Sequence, residues 1–297
     1  MSIEATIHRI DHPLCRLGEG PNWNPRQGKL YWTDIDGRTL WQYDPASDQA
    51  RLFREGDMKV GGFGFESDDR LVIFTDTGVF SLAADGRGEP QPLFDVSLAE
   101  KERFNDVIID PVGRGIGGTL RGGTREGKLY SFEKGKDPVV LLEGLGCSNG
   151  MAFTEDGRTF YHTDSADRQI KRYDYDVATG QLSNGELFYQ HDESLGVPDG
   201  CTMDAEGQIW VACWGGKCVL RLGKDGQVEQ KVEMPALQCT SCMFGGEDLS
   251  TLYVTTAAGG AEDLETGLDS EGRFRGGTTY ALRPGVRGRR EHDAKLI

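Results

Sequence analysis

The chain has 297 residues, 37% of them hydrophobic, which is enough for a real core, and its 42 glycines with 11 scattered prolines point to many tight turns between short elements rather than long helices. Its 33 basic and 48 acidic residues leave a net charge of −15, a field that repels phosphate backbones and anionic lipid, so neither nucleic acid nor a membrane is expected as partner. No run of about eighteen apolar residues and no basic head with an apolar core occurs, and the seven cysteines show no regular framework, so a soluble cytoplasmic protein is expected.

In chain order, Ala5-TIHRI reads as a short strand, and from there one pattern recurs: an apolar residue, a short acidic or Pro/Gly turn, then an alternating strand. The copies are Trp23-NPRQGKLYWTD, Phe65-ESDDRLVIFTD, Ile109-DPVGRGIGGTL, Phe153-TEDGRTFYHTD, Met203-DAEGQIWVACW and Phe244-GGEDLSTLYVTT. Their anchors at 23, 65, 109, 153, 203 and 244 lie 41 to 50 residues apart, the size of a four-stranded sheet with its turns. Second alternating stretches follow, such as Thr39-LWQYD, Lys128-LYSFE, Ile170-KRYDYD and Val219-LRL, with the period of half-buried strands. One such sheet cannot cover its own apolar faces, so the reading is all-β: a six-bladed β-propeller, residues 1–297 forming a single domain around a central channel. Ala5-TIHRI is expected to complete the last blade and protect its edge. Gly259-GAEDLETGLDSEGRFRGG is expected to be a long solvated loop inserted in that blade.

Four residues before each anchor stand Glu19, Gly61, Asn105, Asn149, Asp199 and Thr240. Equivalent positions point toward one axis, so the side chains of Glu19, Asn105, Asn149 and Asp199 are expected to meet at one mouth of the channel. Any one of them alone reads as a turn former, but turn duty does not explain a register shared by four. Glu19, Asn149 and Asp199 together offer two carboxylates and an amide oxygen, a hard set suited to Ca²⁺, Mg²⁺ or Mn²⁺, with Zn²⁺ still open. Two carboxylates held together without a cation would repel. Arg103, two residues before Asn105, can face the same mouth with its fork of donors, or pair on the surface with Glu100 or Glu102.

Other patterns carry less chemistry. Cys239-Thr-Ser-Cys242 has redox or zinc spacing, but no second pair completes a metal set, and buried small hydrophobes are the simpler reading. No histidine shares a motif with a G-x-S-x-G serine, and His162 reads as structural. Gly61-GFGF lacks the helix of a phosphate loop and reads as a strand start needing close backbone approach. The arginines of the tail Gly285-VRGRREHDAKLI are expected to be solvated.

The segments Gly18-EGPNW, Arg103-FNDVIIDP, Gly118-Thr119, Ser148-NGMAF, Phe160-YHTDS, Tyr173-DYDVATG, Pro198-DGCTMDAEG, Ile209-WVACWGG and Thr240-SCMFGG resemble the sugar-lactonase family that includes gluconolactonase, regucalcin (senescence marker protein) and luciferin-regenerating enzyme. The resemblance covers nearly the whole chain. It implies a six-bladed propeller hydrolysing an aldonolactone to the aldonic acid, with one divalent ion, Ca²⁺ first and Mg²⁺, Mn²⁺, Fe²⁺ or Zn²⁺ as alternatives. It assigns the metal ligands to Glu19, Asn149 and Asp199, the catalytic acid/base to Asp199 and substrate contacts to Arg103 and Asn105. Where regucalcin has a further acidic sugar contact, this chain runs Arg121-GGTREG and presents Gly123, so hydroxyl selectivity is expected to differ. Two other readings stand beside the lactonase: a calcium-binding regulatory protein, and an organophosphate or aryl-ester hydrolase on the same scaffold. The residues leave open the sugar, the oligomeric state, and whether Asp199 or hydroxide on the ion is the base.

Overall fold

The computed structural model describes residues 6–297. They form six four-stranded antiparallel sheets, and the one helical piece among the described residues is a short turn at Glu193–Leu195. The innermost strands, which define blades 1 to 6, are Gly18–Asn24, Val60–Phe65, Glu102–Ile109, Ser148–Phe153, Val197–Met203 and Cys239–Gly245. Each packs against the inner strand of the next blade, and blade 6 packs against blade 1, which closes the ring. Every anchor of the sequence repeat lies near the end of an inner strand. The turns that follow are built by short acidic side chains: Asp110 and Asp204, each one residue past its anchor, accept the amides of Val112 and Glu206 at 2.9 Å.

Apolar residues gather in six clusters, one wedged between each pair of neighbouring blades. Phe74, Phe104 and Phe132 fill the wedge between blades 2 and 3, and Trp210 meets Phe244 between blades 5 and 6. Each fully buried side chain of this size contributes on the order of 2–3 kcal/mol. Because the contacts lie between sheets, the ring is the unit that is stable, not the blade.

Both ends of the chain build the closure. Ile7–Ile10 pairs antiparallel with Thr279–Leu282 as the outer strand of blade 6, with His8 opposite Ala281, as expected of Ala5-TIHRI; Ala5 itself lies outside the described residues. The insertion after Gly259 is a loop, but it is not wholly solvated. Asp269 is buried and receives Arg273 at 2.9 Å and Arg275 at 3.6 Å, while Gln238 N donates to Arg275 O at 2.7 Å and ties the loop to blade 6.

In the tail Arg287 and Arg290 are exposed, as expected, but Arg289 is only half exposed and the segment itself is docked. It crosses the end of the channel opposite the strand starts: Gly288 bridges to Asp204, Ala294 N donates to Phe65 O at 2.7 Å, and Leu296 N donates to Glu66 Oε1 at 2.6 Å. Ala294 and Leu296 are buried, and the half-buried Arg289 donates to Phe153 O at 3.2 Å. The physical reason is the row of unpaired carbonyls and the Glu66 carboxylate that the strand ends would otherwise leave without partners. Among the described residues no helix is long and apolar enough to cross a membrane.

His12 stands beside the closing strand. Its Nε2 accepts from Thr279 N at 3.1 Å, its Nδ1 donates to Pro13 O at 2.6 Å, and its ring packs on Trp32 with centroids 5.0 Å apart. Burial holds the imidazole down to about 4, against an ordinary 6.5. The unfolded chain therefore takes up its proton first, and native stability present above pH 6.5 is lost as the pH falls toward 4. Urea unfolding at pH 7.5 and 4.5 is expected to show wild type losing about 2 kcal/mol more than His12→Gln across that interval. Equal losses would overturn this role for His12.

Candidate active site

The six inner strands share one irregularity. Each carries a bulge at the same place, between Glu19 and Asn22, Val60 and Gly62, Phe104 and Val107, Asn149 and Met151, Pro198 and Cys201, and Cys239 and Ser241. One extra residue per strand re-aims the side chains beside it, and the position four before each anchor lies at or within every bulge. The repeat register of the sequence is thus a register of bulges.

Here the chain must also let backbone meet backbone. A Cβ on Gly150 would lie 2.5 Å from Asp199 O, and one on Gly61 would overlap the carbonyl of Phe104. Glycine is required because any side chain would push the neighbouring blade away. This narrow approach crowds the polar groups of adjacent blades together and strips them of water.

Glu19, Asn105, Asn149 and Asp199 are all buried. Arg103 donates Nη1 to Phe104 O at 2.9 Å and to Asn105 Oδ1 at 2.6 Å. It is not paired with Glu102, whose carboxylate receives Thr119 Oγ1 at 2.7 Å and Ala99 N at 2.8 Å. Asn105 Nδ2 donates to Ser148 O at 2.9 Å and to Asn149 Oδ1 at 2.8 Å. Asn149 Nδ2 in turn donates to Ser165 Oγ at 2.9 Å. The remaining members of the register do other work: Thr240 Oγ1 donates to Gly18 O at 2.5 Å, and Gly61 provides the close approach.

The Asp199 carboxylate accepts from Gly200 N and from the Asn149 side chain, but neither carboxylate is fully served by protein donors. Asp199 Oδ1 is buried without a hydrogen-bond partner, and Glu19 Oε2 accepts one long bond from Gly20 N at 3.3 Å. Burial first, then repulsion from Asp199 and Asp106, pushes the Glu19 carboxyl well above the ordinary carboxylate range; burial and then Asp106 do the same to Asp199. Orphaned oxygens and crowded negative charge fit a resident divalent cation. Among the described residues no group of three His, Cys, Asp or Glu could hold a metal, so an ion here would rest on two carboxylates and an amide oxygen, a hard set; burial pushes the nearby Cys147 thiol up to about 12, so it offers no thiolate.

Asp106 is the member that a single register missed. It lies in the blade 3 bulge beside Asn105 and lines the channel, where desolvation pushes its carboxyl up to about 7. A signal for it exists: three residues before the anchors stand Gly20, Gly62, Asp106, Gly150, Gly200 and Ser241, so an aspartate occupies a slot that is glycine in four blades. Below it a cavity of about 50 Å³ leads to Glu291 and His292 of the tail, and burial pushes Glu291 up to about 7. His162 faces elsewhere, with Nε2 2.8 Å from Ser148 Oγ in the seam against Gly118, and burial holds it down to about 4.

A family profile described as "SMP-30/Gluconolactonase/LRE-like region" matches residues 17–258. The pentonolactonase XacC of Haloferax volcanii is 38% identical over 289 residues, spanning 95% of this chain and 98% of that one. Regucalcin of Gallus gallus is 32% identical over 268 residues, 86% of this chain and 88% of its own. The crystal structure of a calcium-binding protein, regucalcin, from Agrobacterium tumefaciens superposes with a TM-score of 0.92 at 29% identity, covering 99% of both chains.

Asp106 allows a test without any substrate. Its carboxyl titrates near 7 in the folded protein and in the ordinary range when unfolded, so it favours the native state at low pH and costs stability as the pH rises through 7. In chelator-treated protein, Asp106→Asn is expected to be more stable than wild type at pH 8 by at least about 1 kcal/mol and equal to it near pH 4. A variant less stable at pH 8, measured by urea unfolding, would overturn the charge-crowding account.

Proposed function

This chain belongs to the SMP-30/gluconolactonase/LRE-like family, and on that premise we propose that it hydrolyses a sugar lactone to the aldonic acid, with one divalent cation held by Glu19, Asn149 and Asp199. The observation that carries the reading is Asp199, a buried carboxylate with an unpartnered oxygen facing a second buried carboxylate. All three donors are oxygens, which favours Ca²⁺, and similarity to a pentonolactonase puts five-carbon lactones first among substrates.

When bound, the cation supplies positive charge that polarises the ring carbonyl and makes an adjacent water more acidic. The Asp199 carboxylate takes a proton from the attacking water and returns one to the ring oxygen as the acyl–oxygen bond breaks, leaving one carboxyl and one new hydroxyl. Arg103 keeps Nε and Nη2 for sugar oxygens, since its described bonds use Nη1 alone. Asn105 spends both amide protons on Ser148 and Asn149, so it meets substrate through Oδ1, as an acceptor of a hydroxyl proton. These contacts place the lactone carbonyl against Asp199, where misalignment would forfeit much of the proximity advantage.

The test is proton release from a panel of pentono- and hexonolactones by chelator-stripped protein, with Ca²⁺, Mg²⁺, Mn²⁺, Fe²⁺ or Zn²⁺ restored singly. Turnover is expected to vanish on stripping and return with a hard cation, and Asp199→Asn is expected to lower kcat/KM by about 10²–10⁴-fold. Undiminished turnover in the stripped protein or in the variant would overturn the mechanism. Ion binding without turnover of any lactone would favour the calcium-binding regulator instead.

A further inference from the structure

We infer that Ser165 is a positioning residue that sets both the orientation of Asn149 and its spacing from Asp199; the inference rests on the ion reading above. Its buried hydroxyl accepts from Asn149 Nδ2 at 2.9 Å and donates to the carbonyl of Pro198 at 2.6 Å, the residue immediately before Asp199. One side chain thus grips a donor of blade 4 and the backbone beside a donor of blade 5.

The hydroxyl is also the last adjustable link of a chain whose direction is fixed at both ends. Arg103 can only donate, and it gives Nη1 to Asn105 Oδ1. Asn105 must then turn Nδ2 toward Asn149, whose Oδ1 accepts it at 2.8 Å. Asn149 Nδ2 is left pointing at Ser165, with its second proton between Cys147 Sγ at 3.7 Å and the Asp199 carboxylate. At the far end the Pro198 carbonyl can only accept, so the Ser165 proton is committed there and its lone pairs face Asn149. Reversing the Asn149 amide would set donor against donor at Asn105 and take the Ser165 proton from Pro198. The amide is held with Oδ1 forward, and that oxygen keeps a lone pair beyond the one Asn105 uses.

The fold itself does not require a hydroxyl at this position. In blade 1 the equivalent residue is Ile35: Ile35 N donates to Leu17 O at 2.9 Å, as Ser165 N donates to Cys147 O at 3.0 Å. Each follows an aspartate, Asp34 or Asp164, that accepts the amide of Leu17 or Cys147 at 2.9 or 3.0 Å. Ile35 is fully buried, so the same turn is satisfied by an apolar side chain. What differs in blade 4 is the amide that the hydroxyl holds.

The test is calorimetric titration of chelator-stripped wild type, Ser165→Ala, Ser165→Thr and Ser165→Val with Ca²⁺ and with Mn²⁺, alongside the Tm of each stripped protein. Thr and Val match in shape and differ by the hydroxyl, so that pair remains informative if the alanine variant folds poorly. Ser165→Ala and Ser165→Val are expected to bind the ion roughly tenfold more weakly than wild type and Ser165→Thr, with stripped Tm values close together. Equal ion affinities across the set, or a fall in Tm with affinity unchanged, would overturn this role while leaving the ion reading intact. A wild-type protein that binds neither ion would overturn both, and one that binds ions but opens no lactone would overturn the enzymatic reading alone.

Discussion

The inner strands of neighbouring blades come together until a single added methyl group at Gly150 would strike the Asp199 carbonyl, and the rest of the molecule depends on that approach. It makes the axis narrow, and a narrow axis is what brings side chains from blades 1, 3, 4 and 5 into one small dry volume. The six inter-blade wedges supply the opposing stability, since each blade buries its apolar face only against its neighbours. The site is therefore not an addition to the fold. It is located where the inner strands of adjacent blades meet backbone to backbone.

That close approach has an electrostatic consequence. Glu19, Asp106 and Asp199 are desolvated together, and each is pushed toward its neutral form. A protein optimised only for stability would replace them with apolar groups. Their retention beside amides and a serine whose donors and acceptors are matched one for one indicates that negative charge is held there for something other than the fold. The same contrast appears between Ile35 and Ser165, two residues at one position of the repeat, one answering to packing and the other to a polar partner.

The segments without repeat pattern behave differently from the blades. The tail seals the far end of the channel through backbone bonds to Phe65 and Glu66 and through the buried Ala294 and Leu296. Its composition is polar, and Arg287 and Arg290 do stay in solvent, but the backbone between and beyond them does not. Strand ends that lack partners decide this, because an unpaired buried carbonyl costs more than placing an arginine stem over it. The inserted loop follows the same rule at Asp269, which is buried because two arginines converge on it.

The sequence by itself determined the number of blades, their order, the closure by the N-terminal strand and the shared position of Glu19, Asn105, Asn149 and Asp199, because a period near forty residues is written in every copy and equivalent positions must face one axis. Tertiary structure alone decided which of these groups touch. A bulge placed at one point of every inner strand turns Asp106 into the channel beside Asn105, and no alternation rule anticipates a residue that breaks alternation. It decided also that Ser165, from a turn outside the inner strand, reaches across to Pro198, and that the tail folds under the ring. Those contacts join residues far apart in the chain that no repeat relates, and their energies exist only once the blades have closed.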